Sequence, residues 1–219
     1  MKETNPNANN RMVLLLIGGI PVTVILAATW LWFFVARGEL DLVSVLGTAN
    51  RGTLVQPPRQ LDEYELRDES GAVVKLSDME PRWSMVVPVT GGRCDESCEK
   101  TLYLTRQIHV AMGKEFNRLQ RLYISDHSAR DTQLAVAKLS DDHPAPRDFT
   151  QYLATEHHGL QALALPSASY TTLFPEHQTD QSTWYLMDPA GWIMMSYNDE
   201  VSYKDVIADL KFLLKNSGG

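Results

Sequence analysis

Twenty-five consecutive residues without a charge, Met12 through Ala36, place the first constraint on what this chain can become. Arg11 and Arg37 bracket the run, and Leu, Ile, Val and Phe dominate it. A helix of that length, at a rise of about 1.5 Å per residue, spans the roughly 30 Å hydrocarbon core of a bilayer with room for tilt. Trp30, Trp32, Phe33 and Phe34 gather at its far end, where aromatic rings favour the membrane interface. Pro21 and Gly18-Gly19 lie inside the run, and membrane helices tolerate such residues. A cleaved signal peptide would have an apolar region of about 7–15 residues followed by small side chains. Here Trp-Leu-Trp-Phe-Phe stands in that place. The sequence therefore predicts an uncleaved transmembrane helix over 12–36, with 1–11 as a cytoplasmic start. Lys2 and Arg11 before the span nearly balance Arg37 and Arg51 after it. The short polar start, and Glu39 and Asp41 beyond the far end, favour the N-terminus inside and the rest of the chain outside.

The chain has 219 residues, enough for one ordinary domain with appendages. Its net charge of −7 is unevenly spread: residues 1–37 carry +2, so the remainder carries −9. A surface that acidic repels polyphosphate backbones, and no run of basic residues compensates, which argues against nucleic acid as a partner. Residues 37–60 read as a stalk and extended lead-in, punctuated by Gly47, Gly52, Pro57 and Pro58, and 61–216 as the globular domain. Tyr64–Leu66 and Val73–Leu76 alternate like short strands around a Ser70-Gly71 turn. Trp83–Val89 is a compact apolar run of the kind that forms a buried strand, and Leu119–Ser125 is a second buried-strand candidate. Helical spacing follows the first of these to about Asn117, and Asp131–Leu139 and Arg147–Thr155 are also expected to be helical. Ser182–Met187 and Trp192–Tyr197 predict a hairpin around Asp188-Pro189-Ala190-Gly191. Tyr203–Lys215 closes the chain as an amphipathic helix, with Val206, Ile207, Leu210, Leu213 and Leu214 on one face and Lys204, Asp205, Asp209 and Lys211 on the other. This order of elements predicts an α/β domain, a central sheet with helices on both faces.

Chemistry concentrates in Gly91-Gly92-Arg93-Cys94-Asp95-Glu96-Ser97-Cys98, which holds the only two cysteines. The segment follows a buried strand and opens a helix, where an α/β sheet places its active crevice. A helix starting near Cys94 would put both sulfurs on one face, close enough for a disulfide or a shared metal. Helix N–H groups favour a thiolate; Asp95, Glu96 and Glu99 oppose it, and Arg93 and Lys100 partly offset them. An inert staple is the bland reading, but a disulfide closing so short a loop adds little stability through chain entropy. The pair is better explained as a reactive site. A peroxidatic site fits less well, because Thr90 stands four residues before Cys94 and not three.

The C-x-x-x-C after a buried strand resembles the Sco/SenC family of membrane-anchored, thioredoxin-like cytochrome c oxidase assembly proteins. Leu122-Tyr123-Ile124-Ser125-Asp126-His127-Ser128-Ala129-Arg130-Asp131-Thr132 is similar to that family's S-x-D-P-x-R-D-T segment. Tyr185-Leu186-Met187-Asp188-Pro189-Ala190-Gly191 is similar to its Y-L-x-D-P-x-G hairpin. The resemblance implies a thioredoxin-like fold from about Leu61 to the last helix. It also implies a bacterial inner-membrane location with the domain in the periplasm, and the copper-bearing oxidase subunit or other assembly factors as partners. Family members bind copper through two cysteines and a histidine of an Asp-His-Ser segment; this chain has Asp180-Gln181-Ser182 there. Glutamine is a poor Cu(I) ligand. His177, four residues earlier, is the candidate substitute, with His127 behind it; His157-His158 is expected on the surface, and His109 and His143 are ordinary. Three functions follow: thiol–disulfide exchange through Cys94 and Cys98, Cu(I) delivery through Cys94, Cys98 and His177, or a non-catalytic assembly scaffold.

Overall fold

The computed structural model describes residues 6–36 and 50–217, with side chains in the first stretch described for 16–30, 32 and 33. The first five residues of the expected cytoplasmic start and 37–49 of the expected stalk lie outside the described residues. The chain divides into two units, 1–49 and 50–219.

In the first unit α1 (Pro6–Ala36) runs unbroken through Pro21. The hydroxyls of Thr23 and Thr29 donate back to carbonyls of the same helix, Gly19 and Ile20 for the first and Ile25 for the second. This removes their polarity from the surface, which presents Ile17, Ile20, Val24, Ile25, Leu26, Trp30 and Trp32. Among the described residues no helix is long and apolar enough to cross a membrane. The unbroken run of described side chains, 16–30, amounts to about 22 Å of helix, less than the roughly 30 Å required. Several side chains of the expected span lie outside it.

Among its described residues the second unit contains ten strands: β1 (Thr53–Gln60), β2 (Leu66–Arg67), β3 (Val73–Val74), β4 (Trp83–Val89), β5 (Arg93–Cys94), β6 (Leu119–Ser125), β7 (Gln133–Leu134), β8 (Leu160–Ala164), β9 (Trp184–Met187) and β10 (Trp192–Tyr197). Eight form one sheet in the order β1-β10-β9-β4-β6-β8-β2-β3, and β5 pairs with β7 apart from it. β4 and β6 are buried along their whole length and pair in parallel from Trp83 opposite Leu119 to Val89 opposite Ser125. Apolar side chains dominate both faces, and the buried polar ones find partners: Gln120 donates to the Ser84 hydroxyl at 2.8 Å and Arg121 to His157 at 3.0 Å. The hairpin β9–β10 turns through Asp188–Gly191, where Gly191 N–H donates to the Asp188 carbonyl.

Period-two alternation sorts the side chains onto two faces. Met85, Val87, Val89 and Tyr123 pack under α2 (Glu96–Ala111), α3 (Phe149–Glu156) and α6 (Tyr203–Asn216). Val86, Leu122 and Ile124 pack against Leu61, Leu66 and α4 (Ser167–Leu173), which leads into the short α5 (Pro175–Thr179). The thioredoxin-like sheet with helices on both faces is thus as expected.

Three local expectations are corrected. Asp131–Leu139 is not a helix: a 3-10 turn over Ala129–Asp131 leads into β7. The amides of Gln133 and Ala135 donate to the carbonyls of Gly92 and Cys94, both at 2.8 Å, so this backbone is committed across to the cysteine segment. Asp209 does not face water; it is 5% exposed, and its Oδ2 accepts from the amides of Arg51 (2.8 Å) and Gly52 (3.1 Å) and from the Tyr197 hydroxyl (3.2 Å). His157 is buried too, beneath α3, while His158 beside it is exposed.

Candidate functional site

Cys94 and Cys98 form a disulfide with a Cα–Cα distance of 5.1 Å. The two residues do not share a helix face, because α2 begins only at Glu96 and Asp95 is its N-cap. Cys94 belongs to β5, opposite Leu134, and only Cys98 lies in the first helical turn. The Asp95 carboxylate accepts from the amides of Ser97 (3.1 Å) and Cys98 (3.2 Å). The donors that would steady a thiolate are thereby already engaged by a formal negative charge. Asp95 ahead of a helical run was itself a legible cap signal.

Further down α2, Glu99 is buried and accepts from the Ser140 amide (3.0 Å) and hydroxyl (2.5 Å). Arg106 binds Glu156 at 2.8 Å and Asp141 at 3.5 Å. The helix carrying Cys98 is therefore tied at two levels to the segment after β7, the same segment that pairs with Cys94.

A cleft of about 330 Å³ opens at this point, lined in part by Arg93, Asp95, Cys98, His177 and Gln181. The position of the family's copper histidine, held here by Gln181, and the substitute candidate His177 therefore share one cleft with Cys98. His177 is 5% exposed. Its Nδ1 is 3.0 Å from the Thr183 carbonyl; a carbonyl only accepts, so Nδ1 carries the hydrogen and Nε2 the lone pair. Burial pushes its pKa below the ordinary imidazole value, against the hydrogen bond to Thr183 and the charges of Asp180 and Asp95. His177 is therefore neutral at pH 7, the form in which an imidazole binds metal. Asp180 is held below the usual carboxylate range chiefly by the Ser182 hydroxyl at 2.6 Å.

On the other side of the Gly91-Gly92 turn, Asp126 at the end of β6 accepts from the Gly91 amide (2.9 Å), the Thr90 hydroxyl (3.1 Å) and Nδ1 of His127 (2.8 Å). Gly92 has φ of +60°, and a Cβ there would stand 3.1 Å from the His127 ring. His127 thus packs against the turn that leads to Cys94 but is not part of the cleft lining. No sequence signal had marked Asp126 as the anchor of this turn. His109 stacks on Phe116 and His143 is an exposed neighbour of Asp141, and neither is among the residues that line the cleft. Among the described residues, no three His, Cys, Asp or Glu side chains are grouped to hold a metal ion. With the sulfurs bonded to each other, neither offers a thiolate.

Comparison with known proteins gives one family and a set of folds. The family model described as "Transmembrane-like, thioredoxin-like, C-terminal domain" matches residues 83–217, more than half of the chain. Yeast Sco1 with copper bound has a TM-score of 0.53 at 18% identity, over 78% of this chain and 97% of that one. A second yeast Sco1 structure scores 0.53 at 16% identity, over 79% and 99%. The apo Sco1 of Thermus thermophilus scores 0.50 at 18% identity, over 76% and 99%. No curated protein matches the chain in sequence. Identities this low speak for the fold; the family match covers strand, cysteine pair, hairpin and last helix together. The chain belongs to the family of transmembrane-like, thioredoxin-like C-terminal domains, and its folded domain has the Sco architecture.

Proposed function

We propose that the protein is a membrane-anchored assembly factor for cytochrome c oxidase that reduces the copper-site cysteines of the oxidase through Cys94 and Cys98. The observation that carries this reading is the Cys94–Cys98 bond itself, at the edge of an open cleft of about 330 Å³. Once a thiol donor has reduced it, a cysteine pair so placed attacks a partner's disulfide and passes it two electrons through a mixed-disulfide intermediate. The oxidase as destination rests on the likeness of the Ser125–Thr132 and Tyr185–Gly191 segments to the Sco/SenC family. Anchoring is supported by the uncharged run Met12–Ala36, which is helical in backbone throughout. We assign the domain to the periplasmic side of a bacterial inner membrane, a compartment where cysteine pairs cycle between thiol and disulfide.

A second reading, Cu(I) carriage, is favoured by one specific feature. His177 lines the same cleft as Cys98 and keeps Nε2 as its acceptor nitrogen. Two thiolates and an imidazole suit Cu(I) as cargo once the disulfide is reduced. Yeast Sco1, whose fold is shared, has been solved with copper bound.

The deciding experiment is Cu(I) binding by the reduced full chain against a high-affinity chelator, alongside a redox titration of the cysteine pair. Exchange predicts no copper retained, a reversible disulfide, and oxidase maturation lost in Cys94→Ser or Cys98→Ser but kept in His177→Ala. One copper retained per chain and lost in His177→Ala would replace the exchange reading with carriage.

A further inference from the structure

We propose that Cys98, and not Cys94, is the sulfur through which a partner's cysteine enters and leaves. This rests on the thiol-exchange reading and adds its regiochemistry. Cys94 has no exposed surface, whereas Cys98 keeps 7%. Cys98 lines the cleft with Arg93, His177 and Gln181, and Cys94 is not part of that lining. Cys94 is also fixed by its backbone: it pairs with Leu134 in β5–β7, and its carbonyl accepts from Ala135 at 2.8 Å.

Geometry turns this difference into a choice. Exchange at sulfur is a displacement in which the incoming thiolate approaches along the extension of the S–S bond, opposite the sulfur that leaves. Attack on Cys98 requires room beyond Cys98, and the cleft lies against that residue. Attack on Cys94 requires room beyond Cys94, which belongs to the same apolar cluster as Cys98 but has no exposed surface and does not line the cleft. A partner sulfur finds no exposed approach there.

The step balances as follows. The partner thiolate bonds to Cys98 Sγ, the Cys98–Cys94 bond breaks, and its electron pair goes to Cys94 Sγ, which takes up the proton the partner thiol released. The partner's second thiolate then attacks its own sulfur in the mixed disulfide and expels Cys98 as a thiolate, which is protonated in turn. Two electrons have moved from the partner dithiol to the pair. In the reductive direction, once a thiol donor has reduced the pair, the same path runs backwards: the Cys98 thiolate attacks the partner's disulfide, and Cys94 resolves the mixed species by re-forming the Cys94–Cys98 bond. The partner this site fits is a protein with two neighbouring cysteines that can reach into the cleft beside Cys98.

The test uses the oxidised full chain and glutathione as the thiol. After brief reaction, acid quench and alkylation, cleavage at Arg93 and Lys100 releases Cys94–Lys100 as one peptide, and fragmentation shows which sulfur carries glutathione. The expected result is glutathione on Cys98 and the alkyl group on Cys94. Glutathione on Cys94, or divided evenly, overturns the assignment and leaves the exchange reading standing. A disulfide that glutathione does not attack at all removes the exchange reading, and this proposal with it. As a cross-check, the thiol in Cys94→Ser should react with a soluble aromatic disulfide about tenfold or more faster than the thiol in Cys98→Ser. Equal or reversed rates count against the assignment.

Discussion

Arg121 donates from Nη1 to Nδ1 of His157 at 3.0 Å, joining two side chains that are 3% and 2% exposed. An arginine can only donate, so Nδ1 is the acceptor and the hydrogen sits on Nε2, which has no partner. Burial and the neighbouring Arg121 and Arg106 push the His157 pKa down from 6.5 to about 3. Burial also lowers the Arg121 pKa, to about 10, so Arg121 keeps its charge at neutral pH.

Acid stability follows from that pair. The unfolded chain takes up a proton on His157 below about pH 6.5, and the folded chain refuses it until about pH 3. The neutral histidine's contribution is therefore complete above pH 6.5 and lost progressively as pH falls towards 3, on the order of 4–5 kcal/mol in total. His157→Gln, which keeps an acceptor for Arg121, should flatten unfolding free energy between pH 6 and 4 relative to the parent. Denaturant titrations at several pH values measure this, and parallel curves would reject it.

Asp209 should matter more to folding than an acidic residue of a terminal helix normally does. It satisfies two backbone amides and a tyrosine hydroxyl in a buried place. Asp209→Ala leaves those donors without an acceptor and is expected to cost roughly 2–4 kcal/mol, with Asp209→Asn recovering part of the loss. Equilibrium unfolding of the two variants is the check.

The domain is expected to stay folded when Cys94 and Cys98 are reduced. The bond closes a loop of only four residues' separation, for which chain entropy predicts a contribution of no more than about 2 kcal/mol. β5–β7 pairing and the Glu99–Ser140 bonds hold the same segments together by contacts that do not involve either sulfur. Circular dichroism melts with and without reductant should show a modest shift of one cooperative transition; loss of structure on reduction would mean that the bond is a staple.

Gln181→His should convert the cleft into a copper site. Position 181 lines it together with Cys98 and His177, and imidazole is a ligand class that suits a thiolate-bound copper where an amide does not. Cu(I) affinity of the reduced chain is expected to rise by about tenfold or more, read by chelator competition. An unchanged affinity would show that position 181 cannot reach the sulfurs.

Where the sequence was legible, the reason is local. β4 is a largely apolar seven-residue run buried on both faces, β6 carries Leu122-Tyr123-Ile124 at its centre, the β9–β10 turn is spelled by Asp-Pro-Ala-Gly, and Val206, Leu210 and Leu214 repeat at helical spacing. The two sulfurs, His177 and Gln181 could be named because each has unusual chemistry or departs from a recognisable motif. What stayed hidden depends on distant partners. β5 and β7 are two residues each, too short for any periodicity, and exist because Gly92 and Cys94 offer carbonyls to Gln133 and Ala135. That pairing, 40 residues apart, turned an expected helix into a strand and took Cys94 out of α2. Asp209 and His157 look like surface residues in sequence and are buried by contacts with Gly52 and Arg121.

The two outermost strands of the main sheet have a consequence for how other proteins can approach it. One border is β1, whose Pro57 and Pro58 have no amide hydrogens to offer, and the other is β3, only two residues long. Neither presents the continuous ladder of free donors and acceptors that an added strand needs. The domain is thus protected against growing into larger sheets with its own copies, even crowded at a surface. A visiting protein is likewise denied recognition by strand addition, and is left to read side chains and loops around the cysteine cleft.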